Sequence, residues 1–202
     1  VLVKEEWFAK HNEEDQRGVL KKYLDRVSEA PIMSPKADVK APVVIAGHGP
    51  GLQKVAAAKA DGLFLFLQTT ETVKNARAII GPDKHLPVAV RCVLDSNPET
   101  ARELARRACA FYISRPPYHK VWSSVGFDES DWADGGSDRL IDAICAWGDA
   151  ATIKAKLQTF IDAGATQIVV YPCNKDEDYD PENAMSLIWN WELYEALAPS
   201  KS

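Results

Sequence analysis

Five consecutive residues, Gly47-His48-Gly49-Pro50-Gly51, carry the sharpest chemical signal in the chain. Three glycines in five positions allow unusual backbone angles or the close approach of a ligand. They follow the apolar, partly β-branched run Val43–Ala46 and precede the alanine-rich stretch 52–60, so they form a strand-to-helix turn. Free backbone N–H groups at a helix N-terminus favour a phosphate. Gly47, His48, Gly49, Pro50, Gly51 and Leu52 are therefore the candidate anchoring site for a phosphorylated cofactor. The same glycines would equally serve a tight strand–helix connection that holds no ligand. Leu52 stands where the dinucleotide fingerprint G-x-G-x-x-G needs its third glycine, which speaks against a Rossmann site. His48, exposed by its loop position, could donate a hydrogen bond to phosphate or substrate.

Other candidates lie further along. Gln68 closes the next apolar run, 62–68, and Thr69, just after it, fits a helix N-cap. Tyr118 and His119 would line a substrate pocket or simply pack. The acidic run Asp176-Glu177-Asp178-Tyr179-Asp180 lacks the glycine and distal glutamate of a calcium loop and reads as a solvated loop. No Ser–His–Asp or Cys–His arrangement follows from the spacings, and no catalytic residue is assigned. Cys92, Cys109, Cys145 and Cys173 form no C-x-x-C pair and read as buried free thiols of a reducing, cytoplasmic compartment.

The elements that would position these residues alternate helix and strand. Residues 1–41 form a leading helix and loop, the helix amphipathic over 17–29 through Tyr23, Leu24 and Val27. Residues 42–114 form three βα units. The second helix starts at a threonine N-cap and runs to Ile80, where Gly81-Pro82 stops it. The third unit has strand 87–94, PVAVRCVL, and a helix opened by Ser96-Asn97-Pro98. That helix carries Leu104, Ala108, Phe111 and Tyr112 on one face, with Arg102, Arg106 and Arg107 on a solvated one. Residues 115–136, aromatic and acidic, read as an inserted loop. In 137–202, stretch 138–147 reads as helix, Asp149 caps helix 150–163, strand 167–171 follows, and 181–197 is a final helix. Four apolar strands, each followed by a helix, make a parallel α/β protein.

Composition agrees with this class. The 202 residues, 46% hydrophobic and 26% charged, suffice for one substantial domain. A formal charge of −5 speaks against a nucleic-acid binder, and no apolar run has the twenty or so residues of a membrane span. The chain opens on Val1-Leu2-Val3, which reads as the end of a strand and fits a piece of something longer.

The order PVVIAGHGPG, AAAKADGLFLFL, TTETVKNAR, YISRPPY, GGSDRLIDAICAWGD and DAGATQIVVYP resembles the luciferase-like monooxygenase superfamily, and more narrowly its coenzyme F-420 (deazaflavin)-dependent oxidoreductase branch. The resemblance runs from about Val19 to Ala198. It implies a parallel (β/α)8 TIM-barrel fold, of which the four strands match the fifth to eighth, so that 1–202 is a single domain comprising the C-terminal half of a barrel. It implies hydride transfer to or from a small organic substrate, with coenzyme F-420 or, as the alternative, FMN anchored by its phosphate at residues 47–52. Gln68, Thr69 and Tyr118 are the implied substrate contacts. A truncated, non-catalytic flavin-binding or interaction protein is the second reading. A half-barrel would expose two strand edges and an apolar inner face. A longer parent chain, a homodimer closing four strands on four, or a separate N-terminal half would cover them.

Overall fold

Apolar runs bounded by Gly, Pro and Asx residues become parallel strands joined by helices. The computed structural model describes residues 13–31, 38–173 and 190–198. In order these hold α1 (Glu13–Glu29), β1 (Val44–Ala46), α2 (Pro50–Lys59), β2 (Gly62–Phe66), α3 (Thr70–Ile80), β3 (Pro87–Leu94) and α4 (Pro98–Ile113). There follow α5 (Pro116–Ser123), α6 (Glu129–Trp132), α7 (Asp138–Ile144), β4 (Cys145–Gly148), α8 (Ala150–Asp162), β5 (Gln167–Pro172) and α9 (Trp191–Leu197). The opening Val1-Leu2-Val3, the acidic run 176–180 and the start of the expected last helix lie outside the described residues.

Every strand pair is parallel. β1 pairs with β2, and β2 with the start of β3, Leu65 opposite Val88 and Phe66 opposite Ala89. β5 runs beside β3 from Pro87 to Cys92. A strand has two edges, so β2 and β4 share the other edge of β3, with β4 on Arg91–Leu94. The sheet thus runs β1-β2-β3-β5, with a fifth strand, β4, wedged beside β2 at the C-terminal end of β3.

That fifth strand corrects the sequence reading, which placed 138–147 in one helix. The helix stops at Ile144, where the N–H of Cys145 returns to Ile141 O, and Cys145–Gly148 joins the sheet. The edge of β3 beyond Ala89 would otherwise leave backbone groups unpaired in a buried place, which outweighs the local preference of four residues. A second correction concerns 115–136, which is mostly helical rather than loop. Pro116 and Pro117 sit in the first turn of α5, where proline costs nothing, and Asp128 and Asp131 close a capping box on α6.

Two clusters hold the layers together. Leu63, Leu65, Val88, Val90 and Cys92 point to one side of the sheet, against Val55 and Ala56 of α2, Val73 and Ala76 of α3, and Ile153 and Phe160 of α8. On the other side Val93 and Cys145 meet α4, α5 and α7. α4 turns a face of Ala101, Ala105, Ala108, Cys109 and Ile113 inward, while Phe111 is 37% exposed. Of the expected face Leu104, Ala108, Phe111 and Tyr112, Ala108 is buried, Leu104 and Tyr112 pack against the cluster from its edge, and only Phe111 turns outward, because small residues let α4 approach the sheet closely. Arg102 and Arg106 stay partly exposed on the outer face, where they are paired. Arg102 donates to Asp142 Oδ1 at 3.0 Å and Oδ2 at 2.6 Å, and Arg106 pairs with Asp138, fastening α4 to α7.

By the alternation of a pleated strand, Phe64, Phe66, Ala89, Arg91, Val169 and Tyr171 share the face opposite the α2–α3–α8 layer. On that face Val44 and Ala46 of β1 are exposed. Among the described residues β1 and β5 each pair along one edge only.

One backbone position yields a clean stability test. Gly164 ends α8 at φ +108°, and a Cβ there would lie 2.8 Å from Arg77 Cγ. Arg77 donates to Gly164 O from Nε at 3.0 Å and Nη2 at 2.7 Å, so the contact cannot be moved cheaply. Gly164→Ala is expected to lower unfolding free energy by about 1–3 kcal/mol, read from urea denaturation.

Candidate functional site

The turn after β1 is built by close packing as much as by backbone freedom. A Cβ at Gly47 would lie 2.6 Å from Leu52 Cβ, so α2 can fold back over the end of β1 only because residue 47 has no side chain. A Cβ at Gly51 would lie 2.7 Å from Arg17 Nη1, which brings the guanidinium of α1 to the N-terminus of α2. A Cβ at Gly49, the N-cap, would meet nothing within 4 Å, and no side chain caps the helix there. The N–H groups of Leu52 and Gln53 return to Gly49 O at 3.1 and 3.2 Å. No described residue accepts from the N–H of Gly49 or Gly51. An open approach, two available donors, the positive end of a helix dipole and an adjacent arginine fit a phosphate group.

His48 is half-buried rather than exposed, which corrects the sequence reading. Its ring centroid lies 4.7 Å from that of Tyr118, tilted by 41°. Its carbonyl accepts from Gln53 Nε2 at 2.7 Å. Burial lowers the imidazole pKa to about 4, so the ring is neutral at physiological pH. Gln68, only 2% exposed, places Nε2 at 3.3 Å from His48 Nδ1 and donates to Phe66 O at 3.1 Å. Leu67, just before it, adopts φ +50° although it is a fully buried leucine. Its carbonyl accepts from Trp122 Nε1 at 3.0 Å, which holds the strained turn.

Thr69 is engaged locally. Its Oγ1 accepts from the Thr72 N–H at 3.1 Å, the N-cap of α3 that its position allowed. Asp95, at the end of β3, likewise serves its own turn, accepting from Asn97 N and from Thr100 Oγ1 at 2.9 Å each. Tyr118 sits on α5, not on a loop, and is buried; burial pushes its hydroxyl pKa up. His119 turns away from the site, stacking on Trp132 at 4.4 Å and donating from Nε2 to Ile113 O at 2.5 Å. The structure therefore brings His48, Gln68 and Tyr118 together at the turn and leaves Thr69 and His119 in structural roles.

Further residues join them. Tyr112 lies 5.7 Å from Tyr118 and 4.8 Å from Phe66, and Phe66 lies 5.5 Å from Tyr171, making a continuous aromatic wall. Arg91, 3% exposed, sets its guanidinium 5.7 Å from the Phe66 ring and 5.6 Å from that of Tyr171, and hydrogen-bonds Tyr112. Sequence reasoning missed Arg91, though a lone arginine inside PVAVRCVL was a visible anomaly. The four cysteines are free and buried; Cys109 and Cys145 approach to 3.6 Å between sulfurs, and their contact and burial raise the Cys145 pKa far up. Among the described residues no group of three or more His, Cys, Asp or Glu could hold a metal ion.

The sequence profile of luciferase-like monooxygenases matches residues 20–167, well over half of the chain. The chain belongs to the luciferase-like monooxygenase family. No curated protein sequence matches it significantly. Solved luciferase-like structures share its fold at low identity. An F420-dependent secondary alcohol dehydrogenase in complex with an F420-acetone adduct is 15% identical, with a TM-score of 0.55 over 84% of this chain and 52% of its own. The coenzyme F420 dependent tetrahydromethanopterin reductase from Methanopyrus kandleri is 19% identical, with a TM-score of 0.52 over 85% of this chain and 60% of its own. Apo-MsnO8 is 18% identical, with a TM-score of 0.54 over 98% of this chain and 67% of its own. The luciferase-like chain described here therefore spans about half to two thirds of these structures, and its parallel α/β fold is of their TIM-barrel type. No described helix is long and apolar enough to cross a membrane.

Proposed function

We propose that this chain carries the cofactor-anchoring part of a deazaflavin (coenzyme F-420)- or FMN-dependent oxidoreductase acting on a small organic substrate in the cytoplasm. The observation that carries the reading is the open turn at Gly49. It is an uncapped helix N-terminus with room for a ligand, flanked by Arg17, and leads to His48, Gln68 and Tyr118. In this reading Gly49 and Gly51 donate to the cofactor phosphate, and Gly47, Pro50 and Leu52 shape the turn. Gln68 and Tyr118 border the substrate side, and Thr69 supports them by capping α3. When bound, the cofactor's ring supplies the hydride transfer to or from the substrate. The protein residues bind, orient and exclude water. The exposed inner face at Val44 and Ala46 favours completion of the barrel by a second copy or by an N-terminal half-barrel. It also keeps open a second reading, a flavin-binding or interaction protein without turnover.

Gly49→Asp separates binding from folding. Aspartate is a good N-cap and meets no neighbour at this position, so unfolding free energy is expected to stay level or rise by a few tenths of a kcal/mol. Its charge would face the phosphate and weaken binding about tenfold or more. Titration of the full chain with coenzyme F-420 and with FMN, followed by cofactor fluorescence, reads the effect. Unchanged affinity in Gly49→Asp, or no binding by the wild type, removes the assignment. Turnover of reduced cofactor then distinguishes the oxidoreductase from the binding protein.

A further inference from the structure

We propose that Gln68 is a positioning residue that holds His48 in its Nε2–H tautomer, so that His48 offers a hydrogen-bond donor to an acceptor oxygen of the ligand held at the Gly49 turn. The inference rests on the cofactor reading above and adds to it a specific donor and the residue that orients it.

The geometry points one way around. Gln68 Nε2 lies 3.1 Å from Phe66 O and 3.4 Å from Leu67 O, and both carbonyls can only accept. The amide nitrogen, not the amide oxygen, must therefore stand at this end of the side chain. The same nitrogen is 3.3 Å from His48 Nδ1, so Nδ1 is the acceptor of that contact. A neutral imidazole with Nδ1 accepting carries its proton on Nε2. No described residue accepts from Nε2, and it is not one of the fully buried side-chain atoms left without a partner, so the N–H of the half-buried ring keeps some accessible surface for a ligand.

The surroundings fix this arrangement rather than merely permit it. Gln68 is buried, so its amide cannot trade its partners for water. Its position depends on the left-handed backbone of Leu67, held by Trp122 Nε1. The ring is held against Tyr118 and the main chain of His48 by Gln53. Donors that preorganise a second donor in this way define where an acceptor must sit. The acceptor chemistry is an oxygen with lone pairs, supplied either by a phosphate or by a ring carbonyl of the cofactor.

The test reads the tautomer first, without any ligand. Long-range proton–nitrogen correlation spectra of the full chain are expected to show His48 protonated on Nε2 alone. In Gln68→Glu the carboxylate can only accept, and the proton is expected to move to Nδ1. Gln68→Met, which keeps the volume and removes the donor, is expected to give a mixture and serves if the buried glutamate prevents folding. A wild-type proton on Nδ1, or a Gln68→Met spectrum identical to wild type, overturns the assignment.

Binding then tests the donor. His48→Gln keeps an N–H donor and should hold FMN within about threefold, whereas His48→Phe keeps the ring packing and should lose about tenfold. The opposite order means that the ring merely packs on Tyr118, and overturns the proposal. Lumiflavin, which has the ring and no phosphate, assigns the source. A loss retained with lumiflavin places the acceptor on the ring, and one confined to FMN and competed by inorganic phosphate places it on the phosphate. A wild-type chain that binds neither FMN nor coenzyme F-420 overturns the cofactor reading, while the spectra still judge the Gln68–His48 assignment.

Discussion

Trp122→Ala is expected to cost about 3–5 kcal/mol of unfolding free energy, a large share of the 5–15 kcal/mol typical of a domain. Trp122 is fully buried on α5, with its ring 5.4 Å from that of Tyr118. Its removal opens a cavity under the site and withdraws the closer of two described side-chain donors to Leu67 O, at 3.0 Å against 3.4 Å for Gln68 Nε2. Trp122→Phe separates the two losses. It keeps most of the volume but leaves a buried carbonyl with only the longer contact from Gln68 Nε2, for about 1–3 kcal/mol. Because that hydrogen bond holds Leu67 at φ +50°, the Phe variant should also loosen the Gln68–His48 contact. Urea denaturation measures the first effect and the His48 nitrogen spectra the second. A Trp122→Phe protein as stable as wild type, with an unaltered His48 spectrum, would show that the strained turn needs no support from α5.

What could be read in advance divides by the range of the interactions. α3 begins after Thr69 and ends before Gly81-Pro82, and β3 spans Pro87–Leu94, because their boundaries are written in caps and turn residues a few positions away. The strand Cys145–Gly148 was not legible. Four residues carry no periodicity, and what makes them a strand is the open edge of β3, more than fifty positions earlier. α5 was hidden for a related reason. Pro116-Pro117 marks a break in the preceding helix and, equally, the first turn of the next one.

The site shows the same division. The glycine turn and its place at a helix N-terminus were visible as a local pattern. That His48 is packed rather than exposed was not, because Tyr118, which covers it, comes from another helix. Nor did the sequence show that Gly47 and Gly51 are small for Leu52 and for Arg17, leaving Gly49 as the glycine with open space. Arg91 lies between. Its oddity in an apolar strand was local, but its meaning depends on Phe66, Tyr112 and Tyr171, which three other elements contribute.

The packing of His48 also sets how the protein should respond to acid. Burial lowers its pKa to about 4 in the folded state, against about 6.5 for a free imidazole. Between these values the unfolded chain binds a proton that the folded chain refuses, so unfolding is favoured as pH falls. The stabilisation is fully present above about pH 6.5 and is lost as pH drops through about 4, for a total of at most about 3 kcal/mol. His48→Phe should abolish this slope while keeping the contact with Tyr118, and so lie parallel to wild type above pH 7 and above it in relative terms at pH 5. Asp131 does not blur the window. Arg139 holds its carboxyl down to about 2, so its own contribution is present above about pH 3.8 and disappears only below that. Urea unfolding at half-unit steps from pH 7.5 to 4 measures both proteins. Equal slopes would mean that His48 titrates alike in the folded and unfolded chains, and that its ring is open to water. The neutral donor at the turn would then be a protonated cation below pH 6.5, with a correspondingly stronger pull on phosphate in acid than at neutral pH.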